Sequence, residues 1–271
     1  MKSKKLLTGP YLFWAVAFII IPIIMIFYYG LTDKKHNFTF MNLAEITTTE
    51  NLKALGLSLL LSVISTIICL LLAYPLAMIL SKKSVNQSSF IVFIFILPMW
   101  MNFLLRTLAW QRLLEKSGVI NSLLSLLELP SLNIINTPYA IIFGMVYNFL
   151  PFMVLPLYNV LIKIDKDVLN AARDLGANEI QVFFKVILPL SIPGIISGIT
   201  MVFVPALTTF VISNILGGSK ILLIGNVIEQ EFTQSYNWNA GSGLSLVLML
   251  FIVISMAVIA KYDKDGEGTA F

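Results

Sequence analysis

Uninterrupted apolar runs of membrane-crossing length recur six times in this chain, at residues 11–31, 55–80, 90–110, 138–162, 190–216 and 244–260. A bilayer hydrocarbon core of ~30 Å needs roughly 20 residues of helix to cross it. A chain of 271 residues cannot hide six such runs in one water-soluble core, least of all when 58% of it is hydrophobic and only 12% charged. Soluble domains carry about a quarter charged residues. The bilayer must therefore be the solvent, which predicts an all-α membrane protein with six transmembrane helices. Pro22, Pro75, Pro98, Pro151, Pro156, Pro193 and Pro205 fall inside the runs. Helices in a membrane bundle tolerate them, because neighbouring side chains and local backbone adjustment satisfy the freed carbonyls.

The first run follows Lys2, Lys4 and Lys5, as a signal peptide would. It is longer than a typical signal h-region, rich in Phe and Tyr, and has no A-x-A exit, so a retained helix is expected. Orientation follows from the cations of the short loops. With both termini cytoplasmic, the inner segments hold 11 Lys and Arg and the outer ones 7, although the outer loops are longer. The formal charge of +4 thus reflects topology. No basic cluster interleaved with aromatics points to nucleic acid. Cys69 and His36 each stand alone, which argues against metal and redox chemistry and leaves a packing thiol and a solvated imidazole. Neither a catalytic constellation nor a cofactor motif is present, so catalysis by this chain is not expected.

One inner connection is short (82–89); the other, 163–186, is elaborate and reads KIDKDVLNAARDLGANEIQVFFKV. Its pattern predicts two short helices with a break. Asp165 or Asp167 is placed to cap the first, whose apolar positions are Val168, Leu169, Ala171, Ala172 and Leu175. Gly176 stands where a helix C-terminus takes the left-handed conformation. Asn178 is placed to cap the second helix, with Glu179 in its first turn. Ala171 and Ala172 leave a low-relief surface beside Arg173 and Asp174, which suits docking into another protein's groove. An amphipathic helix lying in the membrane interface has the same periodicity.

The spacing Asn170-Ala171-Ala172, Gly176, then nine residues and Val186-Ile187-Leu188-Pro189 resembles the EAA loop of binding-protein-dependent ABC importer permeases. That family usually has Glu where Asn170 stands and Ile where Val186 stands, so no ion-pair role passes to Asn170. The resemblance extends to Leu97–Thr107, to Leu150–Tyr158 and to Gly217–Ile228, stretches similar to the spermidine/putrescine importer permeases of the PotB type. It implies a type I ABC importer permease fold with a cytoplasmic coupling loop, in a bacterial cell membrane. Residues 1–53 would form an N-terminal transmembrane helix and outer loop, 54–261 the five-helix transmembrane domain, and 262–271 a short cytoplasmic tail. Implied partners are a second, PotC-like permease, two PotA-like ATPase subunits and an extracytoplasmic, PotD-like polyamine-binding protein. The chain has no G-x-x-x-x-G-K-[ST] phosphate loop of its own. ATP energy would then arrive through Asn170, Ala171, Ala172, Arg173, Asp174, Gly176 and Pro189.

A polyamine site needs carboxylates, carbonyls and aromatic faces, each cation–π contact adding about 0.5–2 kcal/mol. None of the six runs contains Asp or Glu, so this chain would offer aromatic and neutral polar groups and leave carboxylates to its partners. Candidates for the pathway are Trp100 and Asn102, just after Pro98 where a break is expected; Tyr147 and Asn148, just before Pro151; and Phe210 with Asn214 on one face of the fifth run. Asn and Tyr also glue membrane helices together, and Trp also sits in interfacial belts. Arg106 is expected in a structural pairing. On the outer side, 118–129 reads as an amphipathic helix capped near Asn121, and 217–238 carries Glu229 and Glu231; both segments are candidates to meet a binding protein. Rival readings are a permease for another solute, such as an iron chelate, thiamine or an anion, and a self-sufficient secondary transporter. The latter class generally shows intramembrane carboxylates or paired broken helices.

Overall fold

The computed structural model describes residues 9–82, 97–218 and 220–261, and nearly all regular structure there is helical. Residues 1–8, the connection 83–89, the first part of the third run (90–96), Ser219 and the expected tail 262–271 lie outside the described residues. The long helices are α1 (Pro10–Gly30), α2 (Thr49–Ser81), α5 (Pro138–Leu161) and α11 (Trp238–Lys261). Between them stand α3 (Phe103–Leu114), α4 (Val119–Leu126), α6 (Lys166–Asp174), α7 (Glu179–Leu190), α8 (Ile192–Thr208), α9 (Val211–Leu216) and α10 (Ile224–Thr233). Four helices among the described residues are long and apolar enough to cross a membrane, and the bent pair α7–α8 makes a fifth.

Two of the six runs are not single helices. In the third, a tight turn Leu97–Trp100 gives way to an extended Asn102, whose Oδ1 accepts from the N–H groups of Leu104 and Leu105 and so caps α3. In the fifth, the chain bends by 62° at Ser191, continues as one helix to Thr208, and breaks again at Thr209 and Phe210 before α9. Hydropathy does not register these breaks, because a single polar residue such as Asn102 or Ser191 leaves the average over its run apolar. Two of the other runs are longer than expected, α2 beginning at Thr49 and α11 at Trp238, while α1 and α5 match their runs to within a residue at each end.

The chain divides into two compact units. In the first, residues 1–55 and 224–254, the end of α1 must satisfy carbonyls that have no helical partner. Two asparagine amides do so. Asn42 Nδ2 donates to the carbonyls of Tyr29, Gly30 and Thr32, and Asn239 Nδ2 reaches Tyr29 and Thr32 at 3.1 and 2.6 Å. Rings of Tyr29, Trp238 and Phe232 pack beside them. Farther along, Glu45 senses Glu231; burial first, then that like charge, holds the Glu45 carboxyl above its usual range.

In the second unit, residues 56–223 with 255–271, α2, α5, α8 and α9 enclose the core. Serine and threonine side chains inside α2 return their hydrogen bonds to the preceding turn, Ser62 to the Ser58 carbonyl and Thr66 to that of Ser62. Cys69 is buried, its Sγ 3.8 Å from the Val146 carbonyl. The approach of α8 to α5 depends on Gly194 and Gly198, a G-x-x-x-G pair. A Cβ at Gly194 would lie 3.0 Å from the Pro156 carbonyl oxygen and 3.0 Å from Val160 Cγ2. At Gly198 it would meet Met153 Sδ, which can swing away.

Two outcomes follow from these contacts. Gly194→Leu should cost about 1–3 kcal/mol, because backbone cannot yield, whereas Gly198→Ala should cost less than 1 kcal/mol; thermal midpoints of the detergent-solubilised protein compare them, and equal losses would refute the ordering. For Glu45, a raised acid favours the folded state while protonated; that contribution is full below the usual carboxylate range and is lost as pH rises through the raised value. Glu231→Gln should therefore gain on the wild type near about pH 7 and match it near about pH 4. A constant offset in midpoint at both pH values would show the two carboxylates to be independent.

Candidate coupling loop and membrane track

The 163–186 loop is held by its own short-range chemistry. Asp165 is the residue that caps α6, its Oδ1 accepting from the Asp167 N–H at 2.9 Å. The helix ends at Leu175, and Gly176 takes φ +84° with open space around its Cα. The Gly176 N–H then donates to the Arg173 carbonyl at 2.8 Å and the Ala177 N–H to that of Ala172 at 3.1 Å, closing a Schellman end. Asn178 and Gln181 form a reciprocal capping box, at 2.8 and 3.0 Å, that starts α7.

One ion pair spans the break. Arg173 Nε donates to Glu179 Oε1 at 2.8 Å, and Arg173 Nη1 reaches Asn170 Oδ1 at 3.4 Å. Asn170 thus faces Arg173 as a neutral acceptor. An exposed pair of this kind contributes little stability, so its effect is to orient α6 against α7. Ala171 is exposed and Ala172 half-buried, with charged Asp174 exposed beside them. Around this surface stand apolar side chains that water covers in the isolated chain: Leu175 is 89% exposed, Ile180 69% and Phe184 60%. A loop that presents these beside a rigid turn has the composition of an interface.

The loop joins the membrane helices through a bent elbow. Val182 is fully buried; residues Phe183–Ile187 form a π-helical turn, and Pro189 opens the last turn of α7. Phe183 lies edge-on to Tyr74 of α2, ring centroids 5.6 Å apart. At the bend itself Tyr74 Oη and Ser191 Oγ are 2.8 Å apart, and Ser191 Oγ lies 2.8 Å from the Leu188 carbonyl. A carbonyl only accepts, and serine has one proton to give it. The tyrosine must therefore donate to the serine, and the order Tyr74, Ser191, Leu188 is fixed.

The pathway candidates occupy different settings. Trp100 is exposed, at the end of the tight turn before Asn102, whose side chain is spent on capping α3. Tyr147 belongs to an aromatic patch with Trp110, 5.1 Å away and steeply tilted, and with Phe143, stacked at 6.4 Å. Arg106, only 8% exposed, places its guanidinium 5.7 Å from the Tyr147 centroid. Its expected structural pairing is thus a cation–π contact. Asn148, 2% exposed, donates Nδ2 to the Gly144 carbonyl at 2.8 Å, while its buried Oδ1 has no hydrogen-bond partner among the described residues. Phe210 lies at the second break of the fifth run, outside any helix, and its carbonyl accepts from the Asn214 N–H at 2.9 Å. The two therefore stand at a helix start and not along the face of a continuous span. Asn121 does not cap α4. Gly118 holds that place, and the buried Asn121 side chain ties the Glu115 and Leu132 carbonyls and the Leu132 N–H together.

Sequence reasoning missed the ring patch and the elbow. The i,i+4 spacings of Arg106 with Trp110 and of Phe143 with Tyr147 were the available signal for the patch. Tyr74 and Ser191 are 117 residues apart and gave none.

Comparison with known proteins accords with this arrangement. The chain is 39% identical over 272 residues to the spermidine/putrescine transport system permease protein PotB of Haemophilus influenzae, covering 97% of this chain and 95% of that protein. It is 37% identical over 260 residues to the protein of the same name from Escherichia coli K12, covering 93% and 94%. Its fold is that of type I ABC transporter permeases: it matches a chain of a bacterial alginate ABC transporter, in complex with an alginate pentasaccharide-bound periplasmic protein, with a TM-score of 0.80 over 97% of this chain and 95% of that one, at 16% identity. The family model described as binding-protein-dependent transport system inner membrane component matches residues 10–263. This chain, a multi-pass inner membrane protein with a non-catalytic part in transport, belongs to that family of binding-protein-dependent permease components.

Proposed function

We propose that the chain is one of two permease subunits lining the uptake pathway of a spermidine/putrescine importer, paired with a PotC-like permease. PotA-like ATPases would dock on the 163–186 loop, and a PotD-like binding protein would deliver substrate on the opposite side, with both termini cytoplasmic. The observation that carries this reading is the near full-length identity to two PotB permeases. The loop supports it independently: a rigid break flanked by exposed Leu175, Ile180 and Phe184 is a docking surface, and the elbow at Ser191 leads from it into α8. ATP-driven closure of the ATPase pair would rock the permeases between inward and outward access.

For the solute, the runs without carboxylates leave Trp100, Asn102, Tyr147, Asn148, Phe210 and Asn214 as this chain's contribution. Arg106 already covers a face of Tyr147, so a polyamine ammonium would have to share that ring with a resident cation. The buried Oδ1 of Asn148, without a hydrogen-bond partner among the described residues, is an acceptor of the kind a passing ammonium would use. Trp100, exposed just after Pro98, offers an open aromatic face at the break.

Reconstitution of the full complex in proteoliposomes tests the substrate: spermidine or putrescine, with the binding protein, should raise ATP turnover. Stimulation by another solute and not by either polyamine would overturn the assignment. Coupling is tested at Gly176, where there is room for a side chain but the backbone is left-handed. Gly176→Leu should strain the turn by about 1–2 kcal/mol and uncouple ATP hydrolysis from uptake with membrane insertion intact, whereas Gly176→Asn, which tolerates this conformation, should retain most uptake. Normal uptake by Gly176→Leu would remove the loop from the coupling route.

A further inference from the structure

One face of α2 runs from apolar to basic as it nears the loop. Leu71, Tyr74, Pro75 and Met78 succeed one another at helical spacing, and Lys82 follows one turn beyond. Against the apolar part, Phe183, Leu188 and Ile195 complete a groove of about 470 Å³. The one polar side-chain group in its lining, the Tyr74 hydroxyl, is committed to Ser191. Against the basic part, a smaller hollow of about 110 Å³ is lined by Ser81, Lys82 and Lys166 over a floor that includes Leu161 and Ile187. Met78 lines both, so the groove and the hollow adjoin at that residue.

We propose that the two together bind an anionic phospholipid, its acyl chain along the groove and its phosphate between Lys82 and Lys166. Three observations carry the choice of occupant. The groove opens on a membrane-spanning helix, where acyl chain is the surrounding medium. Its axial extent, 11 residues of helix from Leu71 to Lys82 or about 16 Å, is close to half of the ~30 Å hydrocarbon core, the depth of one leaflet. The cations stand only at the end where a headgroup would lie, both exposed, while the Ser81 hydroxyl in the same lining donates to the Met78 carbonyl. Basic pockets between membrane helices at the bilayer surface are the general form of an acidic-headgroup site. The nearby acids do not cancel the charge: Glu179, whose field Lys82 feels, is held by Arg173 at 2.8 Å, and the Asp165 carboxylate is engaged in capping α6. Phe183 and Leu188 belong to the elbow, so a seated lipid would touch both α2 and the segment that leads from the loop into α8.

The test is photolabelling of the complete importer in nanodiscs, using phosphatidylglycerol and phosphatidylcholine that carry the same photoreactive acyl chain. Labelled positions are mapped by mass spectrometry. The expected result is labelling of the groove at Leu71, Met78 or Leu188, favouring phosphatidylglycerol by about tenfold or more and falling to about equal for both lipids in Lys82→Gln/Lys166→Gln. Equal labelling of the wild type by the two lipids would make the groove a passive contact with bulk bilayer and overturn the proposal. So would a preference that survives the double substitution, or labels that fall elsewhere because another subunit covers the groove. The wild-type comparison decides even if the double variant fails to assemble.

Discussion

A membrane interior supplies no water to a stray backbone carbonyl, and several interruptions of helices among the described residues are answered by a specific side chain. At the end of α1 two asparagine amides collect the carbonyls of Tyr29, Gly30 and Thr32. Asn102 restarts the chain at α3, and Ser191 serves the Leu188 carbonyl at the 62° bend. These polar residues sit where the helices stop. The breaks are therefore built features, and they divide the apolar runs into pieces able to take separate directions.

The same rule explains what could be read from the residues and what could not. Run length alone predicts membrane helices, and α1, α2, α5 and α11 agree with it. Local signals inside the loop were equally legible: Asp165, Gly176 and Asn178 act within four residues of themselves, so spacing suffices, and the structure adds Gln181 as the reciprocal half of the capping box. The breaks at Ser191 and Phe210 were hidden because the few polar residues there are outweighed by their apolar neighbours. Hydropathy measures the solvent a segment prefers and is silent on its direction. Contacts between distant segments, such as Arg106 over Tyr147 or Gly194 against Pro156, depend on helix rotations that no local pattern encodes.

The candidate site was legible to the same uneven degree. In 163–186 the two short helices and the break between them were legible from turn chemistry, whereas the proposed docking role came from the spacing shared with the EAA loop. The membrane track needed side-chain direction, and neighbours in sequence diverge there: Tyr147 joins a half-exposed ring patch while Asn148 is buried against its own helix. Phe210 and Asn214, read as two points on a continuous face, instead mark the restart of a helix. A polar residue in an apolar run thus has two explanations, passage and repair of the backbone, and Asn102 shows the second plainly.

The donor order at the elbow has a mechanical corollary. Because one serine proton serves one carbonyl, the Tyr74–Ser191–Leu188 chain has no intermediate setting: sliding α2 past the bend either keeps both bonds or strands a buried hydroxyl. The stranded group would carry a desolvation penalty of about 1–3 kcal/mol, set against thermal energy well below that. Such a joint behaves as a latch with a threshold, holding α2 against the bend under small displacements and yielding only to larger ones.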